Sequence, residues 1–351
     1  MSLYSLLKPM IFAMDAEKAH GMAIHALRSG LVPKHHVKKY DALASEVFGL
    51  RFASPVGLAA GFDKNADAWQ GLLDQGFGFV EVGTITPRAQ EGNPTPRLFR
   101  LIEDNAVINR MGFNNGGMDA AYENLKGHTP KDGIIGVNIG KNKDTERAED
   151  DYTALIERFC DIADYFTVNI SSPNTKGLRD LQSKAALESL MKAVLAQRDA
   201  YTARRVPVLV KIAPDLDDAG QEEAAQVAVE LGFDGLIVSN TTITRPENLR
   251  SAHKGEQGGL SGAPLMQRST EVLRTIYRLT GGTIPLIGVG GIGSAHDAIT
   301  KIRAGASLVQ LYSMLVYEGL ELVARINDGI AQHLKQEGLE NISQLVGIDQ
   351  R

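Results

Sequence analysis

Cysteine is nearly absent from this 351-residue chain, where Cys160 stands alone. No intramolecular disulfide can form, and zinc sites built on cysteine pairs are excluded. That usage is compatible with a reducing compartment. Long apolar runs are missing as well: no stretch approaches the roughly 18–20 residues that span a bilayer. The first ten residues, MSLYSLLKPM, carry a lysine inside their apolar stretch and no small-residue cleavage site. A soluble or peripheral protein is therefore expected. A basic excess is missing too. The net charge is −5 and no Lys/Arg-rich run occurs, so no face is built to displace counterions from nucleic acid, and no such partner is expected. The eight histidines (His20, His25, His35, His36, His128, His253, His296 and His333) show no ligand spacing with cysteine or carboxylate, so no metal is expected.

What is present is an ordinary globular composition in a chain long enough for one α/β barrel plus an appendage. Leu3, Leu6, Leu7, Met10, Ile11 and Met14 recur at helical spacing and make one apolar face. Pro9 interrupts that face and should bend or split the helix. Asp15 can cap a second helix carrying Ala19, Met22, Ala23, Ala26 and Leu27 on one side, ended by Gly30 and Pro33. Residues 1–33 thus read as a two-helix amphipathic extension. Its apolar faces suit either packing on the main domain or contact with a lipid surface. Residues 34–52 read as a linker.

From residue 53 to 351 the pattern changes to short apolar runs alternating with helical stretches. The runs are Val56–Ala60, Phe79–Thr84, Ile134–Ile139, Tyr165–Ile170, Val206–Ile212, Gly235–Ser239, Ile284–Val289 and Leu308–Tyr312. Their near-continuous hydrophobicity fits parallel strands buried on both faces. Helices are expected over Thr145–Cys160, Ser183–Tyr201, Asp217–Leu231, Met266–Thr280 and Ser294–Ala304. Eight alternations favour an α/β fold of the (β/α)₈ TIM-barrel type, with a doubly wound sheet as the alternative. Two connections are long, residues 87–117 and 242–262, as functional insertions often are.

Active sites of such barrels lie at the carboxyl ends of the strands. Reading those ends gives Ala60-Gly61-Phe62-Asp63-Lys64, then Gly83-Thr84, Asn138, and Asn169 running to Thr175. Lys211, Ser239-Asn240-Thr241, Gly290-Gly291 and Tyr312-Ser313 complete a polar ring. Gly290-Gly291 before a helix suits an anion, which barrels commonly hold after strands seven and eight. The Ser313 hydroxyl and a close approach by Gly262 fit the same phosphate. Lys64 and Lys211 end buried strands, where an ammonium is costly unless it meets a carboxylate or an electron-rich ring such as a reduced flavin. Asn138, Asn169, Asn174 and Asn240 suit a planar ligand with imide-like edges. Ser172, held before Pro173, reads either as a turn residue or as a base with Thr175 as relay.

These residues sit in longer motifs: AAGFDKN (residues 59–65), EVGTITPRAQEGNPTPRLFRL, INRMGFNN, GVNIGKN, NISSPNTKGLRDLQ, VLVKIAPD, SNTT, GGLSGAPL, IGVGGI and GASLVQLYS. Together, and in order over nearly the whole chain, they resemble the dihydroorotate dehydrogenase family. INRMGFNN and NISSPNTKGLR are highly specific to it. The resemblance implies one FMN per chain, bound by Ala60, Gly61, Phe62, Asp63, Lys64, Thr84, Asn138, Asn169, Lys211, Ser239, Gly262, Gly291, Tyr312 and Ser313. It implies dihydroorotate bound by Lys64, Asn109, Arg110, Met111, Gly112, Phe113, Asn169, Asn174, Asn240 and Thr241, with Ser172 as catalytic base. Serine at that position, where the soluble branches mostly place cysteine, and the N-terminal helix pair resemble the quinone-linked class. His20, Arg100 and Tyr312 then resemble tunnel-mouth or flavin-edge positions. That class implies a membrane quinone as acceptor, peripheral contact with the cytoplasmic face of a bacterial inner membrane, and a monomer working in pyrimidine biosynthesis. A rival reading within flavin barrels, a tRNA dihydrouridine synthase, is opposed by the missing basic patch, and a non-catalytic phosphate- or membrane-binding scaffold is a second alternative.

Overall fold

The structure is a computed structural model describing residues 3–34, 38–129, 131 and 133–350. His35, His36 and part of the expected linker lie outside the described residues, as does the Leu3 side chain. Two helices open the chain, α1 (Leu3–Ala13) and α2 (Ala16–Arg28). Asp15 caps α2 as expected, its Oδ1 accepting from the backbone of Glu17 and Lys18 at 3.1 and 2.9 Å. Pro9 does not split α1. Tertiary contacts on one stripe, on both sides of the proline, hold the helix together. The Tyr4 hydroxyl donates to Val316 O at 2.5 Å, Lys8 Nζ donates to Tyr317 O at 2.8 Å, and the Phe12 ring meets Tyr317 edge-on. This stripe is not the apolar face read from the spacing. Of that face, Leu6, Leu7 and Met10 are exposed, whereas Ile11 and Met14 are partly buried.

The stretch read as linker carries structure of its own. Strands β1 (Ser45–Val47) and β2 (Leu50–Phe52) pair antiparallel around Phe48 and Gly49, both at positive φ. Phe52 is fully buried and stacks edge-on to Phe79 at 5.2 Å. With Val47 it joins Tyr165, Leu209, Ile237, Ile287 and Leu308 in a core that plugs the amino end of the barrel.

The remaining elements follow in chain order. First come β3 (Val56–Leu58), α3 (Trp69–Leu73) and β4 (Phe79–Ile85). Then β5 (Leu98–Leu101), β6 (Ala106–Asn109), α4 (Met118–Leu125) and β7 (Ile134–Ile139). After α5 (Ala148–Phe159) the chain runs through β8 (Tyr165–Asn169), α6 (Lys184–Ala200), β9 (Val208–Ile212) and α7 (Asp218–Leu231). Next are β10 (Gly235–Val238), β11 (Gly259–Gly262), α8 (Met266–Leu279) and β12 (Leu286–Val289). The chain ends with α9 (Ala295–Arg303), β13 (Ala306–Leu311), α10 (Ser313–Glu318) and α11 (Leu322–Gln336). Strands β3, β4, β7, β8, β9, β10, β12 and β13 form one closed parallel barrel, each within a run read from the sequence except that β4 and β13 extend by one and two residues. Closure, made by β13 on β3 with Val309 opposite Val56, removes the doubly wound alternative.

The two long connections are not separate loops. β6 pairs antiparallel with β5 on one side and β11 on the other, so both insertions merge into one three-stranded sheet. Phe99, Leu101, Ala106, Ile108, Leu249 and Leu260 give it a small core. The Tyr317 hydroxyl donates to Ala106 O at 2.6 Å and Ser313 Oγ to Ser261 Oγ at 2.7 Å, which fixes this sheet beside the carboxyl end of the barrel.

Candidate active site

Between the carboxyl ends of the barrel strands, the three-stranded sheet and the helix pair lies a cavity of ≈ 750 Å³. Most residues singled out from the sequence meet there. The loop after β3 contributes Ala60, Gly61, Phe62 and Lys64; β4 contributes Thr84, and the loop of β8 contributes Asn169, Ser172 and Asn174. Lys211, Ser239, Asn240 and Thr241 come from β9 and β10. Gly262, Gly291, Tyr312 and Ser313 form one end, and Asn109, Met111, Gly112 and Phe113 reach in from the sheet insertion. At Gly291 the backbone has φ +77° and a Cβ would fall 2.6 Å from the Met266 backbone nitrogen, so only glycine fits this turn.

Three expected ligand-facing side chains point elsewhere. Asp63 is turned into its own loop, where its carboxylate accepts from the backbone of Asp67 and Ala68 at 2.8 Å each. Arg110 lies outside the cavity, paired with Glu256 at 2.7 Å and stacked on Phe99. Its charge is therefore neutralised within the insertion. Asn138 is fully buried one layer beneath the cavity floor.

Both lysines reach the cavity. Among the described residues, neither Lys64 Nζ nor Lys211 Nζ makes a hydrogen bond or ion pair, yet both line the cavity. Burial pulls Lys64 down to about 8, opposed by Glu17 and Asp63 and reinforced by Arg97. Burial likewise lowers Lys211, against the opposing charge of Glu81. Two ammonium groups without protein partners, facing one cavity, are a site for an anionic or electron-rich ligand.

Beneath them runs a network of amides and hydroxyls. Thr84 Oγ1 donates to Asn138 Oδ1 at 2.5 Å, and Asn169 Nδ2 lies 3.0 Å from Thr84 Oγ1 and 3.2 Å from Asn138 Oδ1. Asn169 Oδ1 accepts from Ser171 Oγ at 2.9 Å, and Asn240 Nδ2 donates to that same Ser171 Oγ at 2.9 Å. At the base of the network is Glu81, which the sequence reading missed. It is fully buried and accepts from Asn138, Tyr165, Thr167 and Gln310 at 2.8–3.1 Å. A carboxylate in the middle of the apolar run Phe79–Thr84 was the available signal.

Ser172 is 6% exposed and faces the cavity, its Oγ accepting from Asn174 N at 3.2 Å. Thr175 Oγ1, in the same loop, is buried without a hydrogen-bond partner. Arg179 ties the loop down. Its Nε donates to Ser171 O at 3.0 Å, its Nη2 to Thr241 O at 3.2 Å, and its Nη1 pairs with Asp215 at 2.9 Å. The loops after β8 and β10 are thereby held in register.

The other end of the cavity opens between α1 and α2. His20, Phe62 and Tyr312 form a cluster of rings there, with centroids 5.0–6.4 Å apart. Burial, reinforced by the Lys64 charge, pushes His20 down to about 3, so its ring is neutral near pH 7. Arg100 donates to the carbonyls of Ile11 and Met14, capping the end of α1, as a cation at a helix carboxyl terminus should. Leu7, Met10, Met14, Ala19, Met22 and Ala23 line this end. Among the described residues, no helix is long and apolar enough to cross a membrane, and no group of three metal-binding side chains converges.

The family model for dihydroorotate dehydrogenase matches residues 42–334. A protein of Azorhizobium caulinodans described as dihydroorotate dehydrogenase (quinone) is 52% identical over 356 residues, covering 100% of both chains. One of Parvibaculum lavamentivorans with the same description is 54% identical, covering 99% of both. The crystal structure of the Eimeria tenella DHODH in complex with ferulenol superposes with a TM-score of 0.92 at 44% identity, covering 95% of this chain and 96% of the other.

Proposed function

The chain belongs to the dihydroorotate dehydrogenase family, and from that premise we propose how its cavity performs the reaction. The enzyme oxidises (S)-dihydroorotate to orotate and uses a quinone as acceptor. The observation that carries the residue assignments is the two-ended cavity: a polar floor with two unpartnered lysines on one side, an apolar mouth between helices on the other.

The residues fit FMN. Lys64 and Lys211 offer positive charge with no direct protein partner, Asn169 and Thr84 offer amide and hydroxyl groups to an imide edge, and the Gly262 and Gly291 backbone and the Ser313 hydroxyl line the end suited to a phosphate. When bound, FMN supplies the hydride acceptor and passes the electrons on. The protein's own work is on the substrate. Asn109, Asn174, Asn240 and Thr241 hold the dihydropyrimidine ring, and Lys64 offsets its negative charge. Ser172 Oγ takes the proton from C5 as the hydride leaves C6, with the Thr175 hydroxyl as relay. A serine hydroxyl is a weak base, so exclusion of water and departure of the hydride must assist it. The mouth between α1 and α2 admits the quinone past His20, Phe62 and Tyr312. The exposed Leu6, Leu7, Met10, Met22 and Leu31 rest on the membrane surface, making the protein a peripheral one.

The test is initial-rate kinetics with dihydroorotate and a short-chain quinone both varied. Parallel double-reciprocal lines are expected from two substrates using opposite ends of one cavity in turn. Intersecting lines, or turnover with NAD⁺ or fumarate replacing quinone, would refute the reading.

A further inference from the structure

An asparagine side chain has a donor end and an acceptor end of nearly the same shape, so packing alone does not decide which way it faces. Here the decision is made beneath the site. Glu81, near the middle of β4, is ringed by donors: Asn138 Nδ2 at 2.8 Å on Oε1, and the Tyr165 hydroxyl, Thr167 hydroxyl and Gln310 Nε2 on Oε2. Four donors on its two oxygens leave it only the acceptor role. Asn138 must therefore present Nδ2 downward, which leaves Oδ1 facing Thr84 and Asn169, and both donate to it. With Nδ2 so directed, Asn169 turns Oδ1 toward Ser171 and Asn240. Asn240 in turn donates to Ser171 through Nδ2 and accepts from Thr241 N at 2.7 Å through Oδ1. Gln310 shows how strongly the carboxylate imposes this order. Its Nε2 serves Glu81 while its Oε1 remains buried with no partner.

We propose that Glu81 is a positioning residue: it touches neither ligand, and through the buried Asn138 it sets the polarity of an amide ladder whose cavity-lining members, Asn169 and Asn240, read the ring edges of flavin and substrate. The proposal rests on the function assigned above. The same carboxylate is an opposing charge for Lys211, so it also balances the floor of the cavity when no anion is bound. A ladder of fixed polarity presents donors and acceptors in one order, whereas a reversible one would meet the ligand with mismatched ends.

The experiment uses the FMN-loaded full chain. Glu81→Gln keeps the shape and introduces a donor where only an acceptor stood. Orotate is titrated while flavin absorbance is followed, and FMN affinity, quinone KM and melting temperature are measured alongside. Orotate and FMN dissociation constants are expected to rise about tenfold or more, the factor that goes with one misdirected buried hydrogen bond, with quinone KM unchanged. A lowered melting temperature with both affinities unaltered would overturn the proposal, because that is what a purely structural core carboxylate gives. Should Glu81→Gln fail to fold, the exchange Glu81→Gln with Gln310→Glu keeps the pair and its charge. Weak orotate binding by that protein supports the proposal, and wild-type binding overturns it. Wild-type protein whose flavin spectrum does not respond to orotate at all fails the underlying functional reading, and the proposal with it, before any variant is made.

Discussion

Arg97 forks onto Glu17 across the joint between the helix pair and the barrel, with Nε 3.1 Å from both carboxylate oxygens and Nη2 2.6 Å from Oε1. The same guanidinium donates to Glu91 O and to Asn93 O, and Asn93 Nδ2 donates to Asn174 O at 3.1 Å. One partly buried ion pair thus connects α2 to the segment that faces the substrate. Glu17→Gln removes the charge and leaves those backbone contacts in place. Quinone KM should rise about tenfold, in line with a charge-assisted hydrogen-bonded pair. Flavin reduction by dihydroorotate, followed by stopped flow, should keep its rate.

Ser172→Ala should slow that flavin reduction by about 10²–10⁴-fold, the usual contribution of a positioned base. Orotate affinity should change little, because Ser172 contributes a proton path, and the side-chain amides of Asn174 and Asn240 are held by Asn109 and Ser171 and not by its hydroxyl. Equal flavin reduction by the variant would remove Ser172 from the chemistry.

The position of Lys64 makes binding pH-dependent. Its amine is held near 8, against 10.5 for an ordinary lysine, chiefly by burial. A depressed lysine is charged in the folded chain only below about 8, where burying the charge costs stability. Between about 8 and 10.5 the unfolded chain binds the extra proton, so stability rises with pH across that window. An anionic ligand has the opposite preference and favours the charged amine. Orotate affinity should therefore fall as pH rises above about 8, by up to tenfold per pH unit, with proton uptake on binding near that pH. Titrations of wild type and Lys64→Met check this, and the variant should show weak binding with that pH dependence flattened.

The exposed apolar side chains predict a lipid-dependent step. Leu6 is 69% exposed and Met10 63%. Removing each from water contributes about 1.5 kcal/mol or more, so losing both should weaken binding to vesicles by roughly a hundredfold. Leu6→Glu with Met10→Glu should fail to co-sediment with phospholipid vesicles and should raise KM for a long-chain quinone, while a short soluble quinone is reduced as before.

The barrel was legible because a parallel strand buried on both faces leaves an unbroken apolar run, and all eight runs became barrel strands. The polar ends of those runs marked the cavity for the same reason, since polarity there has no place in the core. The sheet β5–β6–β11 was not legible. Its strands are four residues long and are split between two insertions, so only their pairing, with Leu260 opposite Ile108, gives them stability. The direction of a side chain was equally hidden. Arg110 stands in a motif beside residues that line the cavity, yet Glu256, far along the chain, draws its charge away. The hairpin Ser45–Phe52 was read as linker because Phe48 and Phe52 gain a core only once the barrel end exists to receive them.

The most direct measurement is sequential anaerobic mixing of the FMN-loaded protein with one equivalent of dihydroorotate, then with an acceptor, following flavin absorbance throughout. Bleaching with release of orotate is expected, then recovery of the oxidised spectrum with a soluble quinone and none with NAD⁺ or fumarate. A flavin that dihydroorotate does not bleach, or that NAD⁺ or fumarate restores as well as quinone does, would contradict it.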